Sequence, residues 1–374
     1  MPHIPFARAC GIDFGTSNST AGCLREGRAV LFPLEDGRPT LPSVVFFNAE
    51  DGRTRFGREG LDEYLAGYEG RLMRALKSLL GSRLIEGQTE VNGRVLHFRE
   101  LLAQFIADLK RRVETQAERP FEQVVLGRPV HFVDDDAAAD RLAEETLASI
   151  ARDVGFREVS FQFEPIAAAF DYETRITREE LVLVVDIGGG TSDFTVVRLG
   201  PQQAGHADRT QDILATTGVH IGGTDFDHRL NVAQVMPLLG YKHIGPSGRE
   251  VPSSVFFDLS TWHLIQWLYT AKALASARGL KSDYSDQQLH QRLMKVLDWR
   301  EGHRLADAVE QAKIAASQSH APSAIALEWL EQDLPAAISP EVLQEQLQAL
   351  LLQVVECAQD CVRQAGVAAP DAIY

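Results

Sequence analysis

The stretch Leu183-Val-Val-Asp-Ile-Gly-Gly-Gly-Thr-Ser-Asp-Phe-Thr195 decides the fold, because the earlier stretch Cys10-Gly-Ile-Asp-Phe-Gly-Thr-Ser-Asn-Ser-Thr20 repeats its pattern. In each stretch an apolar run ends in an aspartate, glycine and hydroxyl residues follow, and the sequence then becomes β-prone again. This pattern predicts a strand, a tight turn and a second strand, with a carboxylate just before the turn. Since the pattern occurs twice, we predict two similar α/β lobes that face each other.

The residues of both turns suit a bound phosphate. Glycine lets backbone N–H groups approach phosphate oxygens, and successive N–H groups form an anion-binding concavity. The carboxylates of Asp13 and Asp186 suit Mg²⁺, which binds few carboxylates, keeps several waters and bridges to phosphate. We therefore predict a magnesium nucleotide between the lobes; the alternative is two ordinary glycine-rich hairpins with solvated aspartates. The turns supply glycines and hydroxyl donors at Gly15, Thr16, Ser17, Gly188, Gly189, Gly190, Thr191 and Ser192.

The composition is that of a globular protein. The chain has 374 residues, of which 45% are hydrophobic and 24% charged, so it can bury the cores of two lobes. Its formal net charge of −15 argues against a nucleic-acid surface, which needs clustered cations. Because no apolar segment has the length of a signal h-region or a membrane span, we expect a cytoplasmic protein. We expect buried thiols and no disulfides from the four cysteines, Cys10, Cys23, Cys357 and Cys361.

Hydrophobic periodicity and turn residues predict strands that alternate with helices, which indicates an α/β architecture. The segment 240–258 is rich in Gly, Pro and Ser and is predicted to be a loop. A further strand is predicted to begin at Asp371–Tyr374. Helices are predicted over 58–80, 100–117, 136–153, 261–279, 285–299, 302–318 and 339–365. The other strands are predicted over 9–14, 20–25, 29–33, 123–130, 159–163, 181–187, 195–200, 211–219 and 325–330.

In this order, these segments resemble the ATPase domain of the Hsp70 (heat-shock 70) chaperone family, which belongs to the actin, hexokinase and Hsp70 superfold. The two glycine turns are similar to the family's first and second phosphate loops. The resemblance is closest to short bacterial Hsp70-like proteins without a full substrate-binding domain. Three other segments strengthen the resemblance. They are Phe163-Glu-Pro-Ile-Ala-Ala-Ala, His220-Ile-Gly-Gly-Thr-Asp-Phe-Asp227 and Val309-Glu-Gln-Ala-Lys-Ile-Ala-Ala-Ser317.

The resemblance implies two similar lobes of the actin-like ATPase (ribonuclease H-like) fold around a central nucleotide cleft, each with a smaller subdomain. Lobe I would be residues 1–180, with an insertion at about 36–105. Lobe II would be residues 181–374, with a helical insertion at about 227–305. The family's adenosine loop follows a strand similar to Asp371–Tyr374, so we expect lobe II to be incomplete at its C-terminal end and nucleotide binding or turnover to be weakened.

The resemblance also implies ATP or ADP with Mg²⁺ as cofactors and assigns residue roles. Asp13 and Asp186 would orient the waters of Mg²⁺. Lys77 and Glu164 would position the attacking water, and Thr191 would lie near the γ-phosphate; with Asp186 these three form the implied catalytic set. The nucleotide would contact Asp13, Gly15, Thr16, Ser17, Asn18, Gly188, Gly189, Gly190, Thr191, Gly222, Gly223, Glu310, Lys313 and Ser317.

Several of these residues have an ordinary structural alternative. Lys77 could be a solvated helix lysine, and Glu164 could simply precede a helix, where a carboxylate favours the dipole. Lys313 could form a surface ion pair with Glu310, three residues away. Pro129 is similar to the family's proline switch, but it could only mark a strand end. Arg141 is similar to the family's arginine relay. We interpret Asp225 and Asp227 as acids of a helix's first turn, and we expect His220 not to be catalytic.

The function implied is an Hsp70-type ATP hydrolase, related to chaperones that assist ATP-dependent protein folding. No peptide-binding β-sandwich follows in this sequence, so co-chaperone or client partners have no support from its residues. No Gly-x-x-x-x-Gly-Lys-[Ser/Thr] segment occurs, which excludes a P-loop NTPase. The alternatives are a small-molecule kinase of the same superfold, an actin-like filament protein, and a nucleotide switch that does not hydrolyse ATP.

Overall fold

The computed structural model describes residues 6–374 except residues 75, 81, 134, 135, 207 and 263. The described chain divides into two compact units. Unit 1 comprises the described residues within Met1–Gly188, Asp193–Gly218 and Ala358–Tyr374, and unit 2 those within Gly189–Ser192 and Val219–Cys357. The expected lobe boundary at residue 180 and the expected insertions stay predictions.

The first half of the chain forms β-sheets through nearby hairpins and long-range pairings. β1 pairs with β2 in antiparallel fashion and with β10 in parallel. The main sheet has the order β11-β10-β1-β2-β3, with β4 also paired to β2. Its strands and those of two smaller sheets are β1 (Phe6–Phe14), β2 (Asn18–Arg25), β3 (Arg28–Leu31), β4 (Thr40–Pro42), β5 (Val45–Asn48), β6 (Thr54–Phe56), β7 (Gly70–Met73), β8 (Gln88–Val91), β9 (Arg94–His97), β10 (Gln123–Arg128) and β11 (Glu158–Phe163).

Amphipathic helices cover this sheet and close the larger core of unit 1. Leu101, Leu102, Phe105 and Leu109 recur at helical spacing and are completely buried, so they form the apolar stripe of one helix. This stripe belongs to a single core cluster with sheet residues such as Phe14. The helices of this part are α1 (Gly57–Leu65), α2 (Phe98–Ala117), α3 (Ala137–Asp153) and α4 (Glu164–Glu173).

A second sheet has the order β14-β13-β12-β17, and the second glycine turn connects its strands β12 and β13. β17 is parallel to β12, with Val182 opposite Ala372. This pairing confirms the strand predicted near the last residues of the chain. The remaining strands are β12 (Glu180–Ile187), β13 (Ser192–Leu199), β14 (Ile213–Val219), β15 (Ser323–Ala324), β16 (Ala337–Ile338) and β17 (Ala372–Ile373).

Unit 2 is mainly helical, and its core is made by helices that bury Leu, Val and aromatic side chains. Met236, Phe256, Leu293 and Leu305 are completely buried in one cluster. The α-helices from here to the end are α5 (Gly223–Gln234), α6 (Ser254–Ser260), α7 (Ala271–Gly279), α8 (Gln287–Asp298), α9 (Gly302–Ser319) and α10 (Pro340–Gln364). Short 3₁₀ segments occur at Leu76–Leu79, Arg83–Glu86, Thr210–Asp212, Met236–Leu239, Ile265–Tyr269 and Leu280–Asp283.

Four sequence predictions are wrong in part. Of the helix predicted over 261–279, only Ala271–Gly279 is α-helical, and a 3₁₀ segment with buried Ile265 and Leu268 precedes it. The helix predicted over 58–80 ends at Leu65, because Gly70–Met73 pairs with β5 as strand β7. The loop predicted over 240–258 contains the start of α6, whose Phe256 is buried. The strand predicted over 325–330 is not formed; the β-pairing there is limited to Ser323–Ala324. In each case a distant partner or the core overrides the local pattern.

Two expectations drawn from composition can be compared with the structure. All four cysteines are free thiols; Cys10, Cys23 and Cys361 are buried and Cys357 is half-buried. Across the described ranges, no helix combines the length and the apolar character needed to cross a bilayer.

A buried ion cluster fastens the second sheet to α4 within unit 1. The Arg209 side chain is only 1% exposed and donates two hydrogen bonds to Glu173, at 2.8 and 3.0 Å. It also pairs with Asp212, while Glu173 accepts a hydrogen bond from the backbone N–H of Gly200. A guanidinium buried in this way is stable only while its carboxylate partners remain.

We expect Arg209→Ala to destabilise the protein by about 3–5 kcal/mol, because it leaves the Glu173 and Asp212 carboxylates uncompensated. Urea unfolding measures this change. The matched control is Arg157→Ala, which removes an exposed pair with Glu122 and should cost about 1 kcal/mol or less. Equal losses in both variants would contradict the assigned role of the buried cluster.

Candidate functional site

The first glycine turn connects β1 to β2 and is fastened by one serine. Asp13 is the penultimate residue of β1 and lies opposite Thr20 of β2. The Ser43 hydroxyl donates to the carbonyl of Gly15 at 2.6 Å, and the Ser43 N–H donates to the carbonyl of Ser17 at 2.8 Å. Thr16 and Ser17 stay half-buried and Asn18 is exposed, so their polar groups remain accessible.

The second glycine turn has the same local design. Asp186 is the penultimate residue of β12, and the turn Gly188–Thr191 leads into β13. The sequence prediction of two strand–turn–strand segments, each with an aspartate just before the turn, is therefore confirmed. Asp13 and Asp186 are both exposed, although Ile12 and Phe14 on either side of Asp13 are buried.

Unit 1 brings one lysine and three carboxylates together. The Lys77 ammonium donates to the Glu164 carboxylate at 2.5 Å, and these side chains are 13% and 20% exposed. A Cβ placed on Gly127 would lie 3.2 Å from Glu164 Cγ and 3.7 Å from the Cα of Asp13. Glu164 thus lies beside the end of β1 and is ion-paired, which rules out a solvated lysine at position 77.

The charges of this group influence one another. Desolvation raises the pKa of the Glu164 carboxyl; the Lys77 ammonium opposes this shift, and the charges of Asp13 and Asp186 add to it. Asp13 is open to solvent, yet desolvation by the surrounding protein raises the pKa of its carboxyl as well. Lys77 again opposes the shift and the charge of Asp186 again adds to it. One ammonium therefore does not fully compensate three neighbouring carboxylates.

This crowding fits a bound divalent cation that is held by few protein ligands. Among the described residues no group of three or more His, Cys, Asp and Glu side chains has the arrangement of a metal cage. Mg²⁺ does not need one, because it keeps most of its waters and takes one or two carboxylates. The donor set and the uncompensated negative charge are compatible with Mg²⁺ near Asp13 and Asp186.

Within unit 2 the glycines of the second turn lie against the start of α5. Thr224 donates from its N–H and from its hydroxyl to the carbonyl of Gly189, both at 2.7 Å. A Cβ on Gly222 would lie 2.6 Å from backbone atoms of Gly189 and Gly190. The structure therefore brings together the predicted phosphate neighbours Gly189, Gly190, Gly222 and Gly223.

The residues predicted to contact the nucleoside lie along α9. Glu310, Lys313 and Ser317 are spaced for one helix face. The Lys313 ammonium pairs with Asp227 at 2.8 Å and lies 3.3 Å from the carbonyl of Gly223. The alternative pairing of Lys313 with Glu310 is thus not the one observed. Asp225 accepts the N–H of Gly222 at 2.9 Å, as a first-turn helix acid does.

A pocket in unit 1 contains residues to which the sequence assigned no role. Glu164 and Asp186 line it together with Asp193, Thr195 and His131. Asp193 and Thr195 are two residues apart in β13, and alternate residues of a strand share a face, so the sequence could have predicted that they lie together. His131 has no such signal. It follows β10, and only the three-dimensional structure shows that it reaches this pocket.

Pro129 and Arg141, the expected switch and relay, differ in their surroundings. Pro129 lines the same pocket as Glu164, whereas Arg141 is exposed on α3. The arginine that contacts Pro129 is Arg128, which donates to its carbonyl at 3.0 Å. The implied roles of Pro129 and Arg141 stay predictions.

Comparison with known proteins finds one family that matches more than half of this chain. The family model "Hsp70 protein" matches residues 9–236. Chaperone protein DnaK of Endomicrobium trichonymphae is 31% identical over 230 residues, which is 60% of this chain and 34% of that protein. The DnaK proteins of Elusimicrobium minutum and Thermus thermophilus are 30% and 29% identical over 230 and 244 residues, again 60% of this chain and 34% and 37% of theirs.

The chain belongs to the Hsp70 family, a family of chaperone-type ATPases with an actin-like ATPase fold. Its mixed α/β structure agrees with that fold. The matched region spans about a third of the length of the relatives.

Two glycine substitutions should separate folding from ligand binding in unit 2. We expect Gly222→Ala to destabilise the protein, because its methyl group would collide with the backbone of the second turn. Gly190→Ala should leave the melting temperature almost unchanged, since its Cβ meets nothing within 4 Å. If phosphate binds at this turn, Gly190→Ala should nevertheless weaken Mg-ATP binding about tenfold. Calorimetric titration and thermal melts measure the two effects, and unchanged binding in Gly190→Ala would contradict a phosphate there.

The raised pKa of Asp13 predicts a stability that depends on pH. Because folding raises this pKa, the native state holds the proton more tightly, and this contribution is present at low pH and lost as pH rises through the folded pKa. At pH 7 the ionised carboxylate therefore costs stability. We expect Asp13→Asn to raise the melting temperature at pH 7 by about 1–3 °C. The gain should shrink as pH falls towards the usual aspartate range, and a loss of stability at pH 7 would contradict this account.

Proposed function

We propose that this chain binds Mg-ATP and hydrolyses it to ADP and phosphate. The observation that carries the proposal is the Lys77–Glu164 ion pair beside Asp13 and Asp186 in unit 1. A γ-phosphoryl group in transfer needs a cation for its developing charge and a group that aims the attacking water. Lys77 supplies the cation, and Glu164 supplies the carboxylate that orients the water.

The electrostatics of Glu164 support this role. Its pKa is raised by desolvation and by neighbouring carboxylates, so it is a better proton acceptor than an ordinary exposed glutamate. Lys77 keeps the side chain in place through a short hydrogen bond. Asp13 and Asp186 would hold Mg²⁺ through its waters, and when bound this ion supplies positive charge to the phosphates. Thr191 and the glycines of both turns would donate to phosphate oxygens.

The finer expectations belong to the same proposal and rest on family membership. They comprise the two similar lobes with a nucleotide between them, the contacts of Glu310, Lys313 and Ser317 with the nucleoside, and a chaperone-related role in protein folding. Co-chaperones and client proteins would be partners of such a role. This chain matches only about a third of the length of the DnaK relatives, so their activity is carried over to it here as a proposal.

The test combines nucleotide titration with phosphate release. We expect the wild-type chain to bind Mg-ATP and Mg-ADP in calorimetry and to release phosphate catalytically. Lys77→Ala and Glu164→Gln should lower kcat by at least about tenfold while nucleotide affinity changes little, since both act on the transferring group.

The matched control is Lys110→Ala, which removes a comparable lysine–glutamate pair on α2. This variant should keep the wild-type turnover. Wild-type turnover in both Lys77→Ala and Glu164→Gln would refute the catalytic assignment. Absence of binding to either nucleotide in the wild-type chain would refute the function itself.

A further inference from the structure

The pocket beside Glu164 has an unequal charge distribution. Its lining includes three acidic side chains, Glu164, Asp186 and Asp193. His131 is the basic side chain among the described residues that line it. An anion that occupies this pocket would meet repulsion from the carboxylates. His131 is the lining side chain whose ring N–H can donate a hydrogen bond to it.

The loop that carries His131 is fixed on both sides. Before it, Arg128 donates to the carbonyls of Pro129 at 3.0 Å and Val130 at 3.1 Å. After it, the N–H of Phe132 donates to Asp140 at 2.6 Å. The backbone of His131 therefore has little freedom, which keeps its side chain at the pocket.

Arg128 links this loop to the catalytic glutamate as well. Its guanidinium lies over the rings of Phe132 and Phe163, each at 5.3 Å, and Phe163 immediately precedes Glu164. Arg128 also pairs with Asp140 at 2.9 Å and with Glu144 on α3. The Arg128 side chain, which is 12% exposed, thus contacts both the loop of His131 and the ring that immediately precedes α4.

The imidazole of His131 remains available for a ligand. Its side chain is exposed to solvent. The Asp140 carboxylate interacts with it electrostatically. Against the effect of burial, hydrogen bonds from Arg128 and Phe132 and the charges of Arg128 and His131 hold the pKa of Asp140 below its usual range. Asp140 is already satisfied by Arg128 and Phe132, so it does not need His131.

We propose that His131 binds the inorganic phosphate released by ATP hydrolysis, an inference that rests on the proposed function. The hydrolytic water is aimed from Glu164, and the pocket shared by Glu164 and His131 is adjacent to that reaction centre. An imidazole N–H donates a hydrogen bond to a phosphate oxygen. His131 is a binding residue for the product and takes no part in bond cleavage.

The test titrates inorganic phosphate into the chain saturated with Mg-ADP, in wild type, His131→Ala and His131→Gln. We expect His131→Ala to weaken phosphate binding about tenfold, because it removes a hydrogen bond to a charged ligand. His131→Gln should weaken binding less, since an amide N–H can still donate. The affinity for Mg-ADP should stay at the wild-type value in both variants. The matched control is His206→Gln, an exposed histidine of unit 1 outside this lining.

The possible failures are distinguishable. If the wild-type chain does not bind Mg-ADP, the proposed function fails and the inference fails with it. If Mg-ADP binds but phosphate affinity is equal in wild type and His131→Ala, the inference alone is overturned. It is also overturned if His131→Ala loses Mg-ADP and phosphate affinity together, because the residue then supports the whole site and not the product.

Discussion

The repulsion among three carboxylates near the end of β1 is the constraint on which the site depends. Folding brings Asp13, Glu164 and Asp186 near one another and supplies one ammonium, that of Lys77, to compensate them. Such an arrangement lowers stability unless a cation or a proton joins it. A protein with no use for cations at this position would gain stability from amides in place of these acids.

The rest of unit 1 can be understood as the support that this arrangement requires. β1 and β10 are parallel neighbours in the middle of the main sheet, so their ends hold Asp13 and Gly127 in a fixed relation. Gly127 leaves the space that Glu164 occupies, because a side chain there would press on its Cγ. The buried Arg209 cluster and the Arg128 cluster use carboxylates that are well matched to their cations. In these two clusters, unlike in the candidate site, the carboxylates are paired with a guanidinium.

The sequence predicted those features of the fold that depend on neighbouring residues. Both glycine turns and their aspartates were predictable, because a strand, a turn and the next strand lie within a short stretch of chain. Helices α2, α3, α9 and α10 were predictable from their apolar periodicity. Strand β7 was not, since Gly70–Met73 consists largely of residues that also suit a helix and is extended only because it pairs with β5.

Within the candidate site, too, the sequence predicted the residues that belong to a local pattern and not the contacts between distant residues. Asp13 and Asp186 could be located from their own segments. The pairing of Lys77 with Glu164 joins residues far apart in the chain, and spacing alone does not predict it. Both residues were identified from the resemblance to Hsp70 proteins. Asp193 belongs to the second glycine-turn stretch, but the sequence analysis assigned it no role. Because alternate residues of a strand share a face, the sequence could have placed Asp193 on the same face of β13 as Thr195.

Arg128 illustrates what neither a motif nor a family resemblance can provide. The resemblance implies a relay role for Arg141, which is exposed on α3 and keeps that role as a prediction, whereas Arg128 contacts the Pro129 loop. Its guanidinium donates to two carbonyls of the Pro129 loop, pairs with two acids of α3 and stacks on the ring before Glu164. A displacement of Pro129 would therefore lengthen hydrogen bonds made by a guanidinium that is only 12% exposed. Through these contacts one side chain joins the Pro129 loop, α3 and the residue that precedes Glu164.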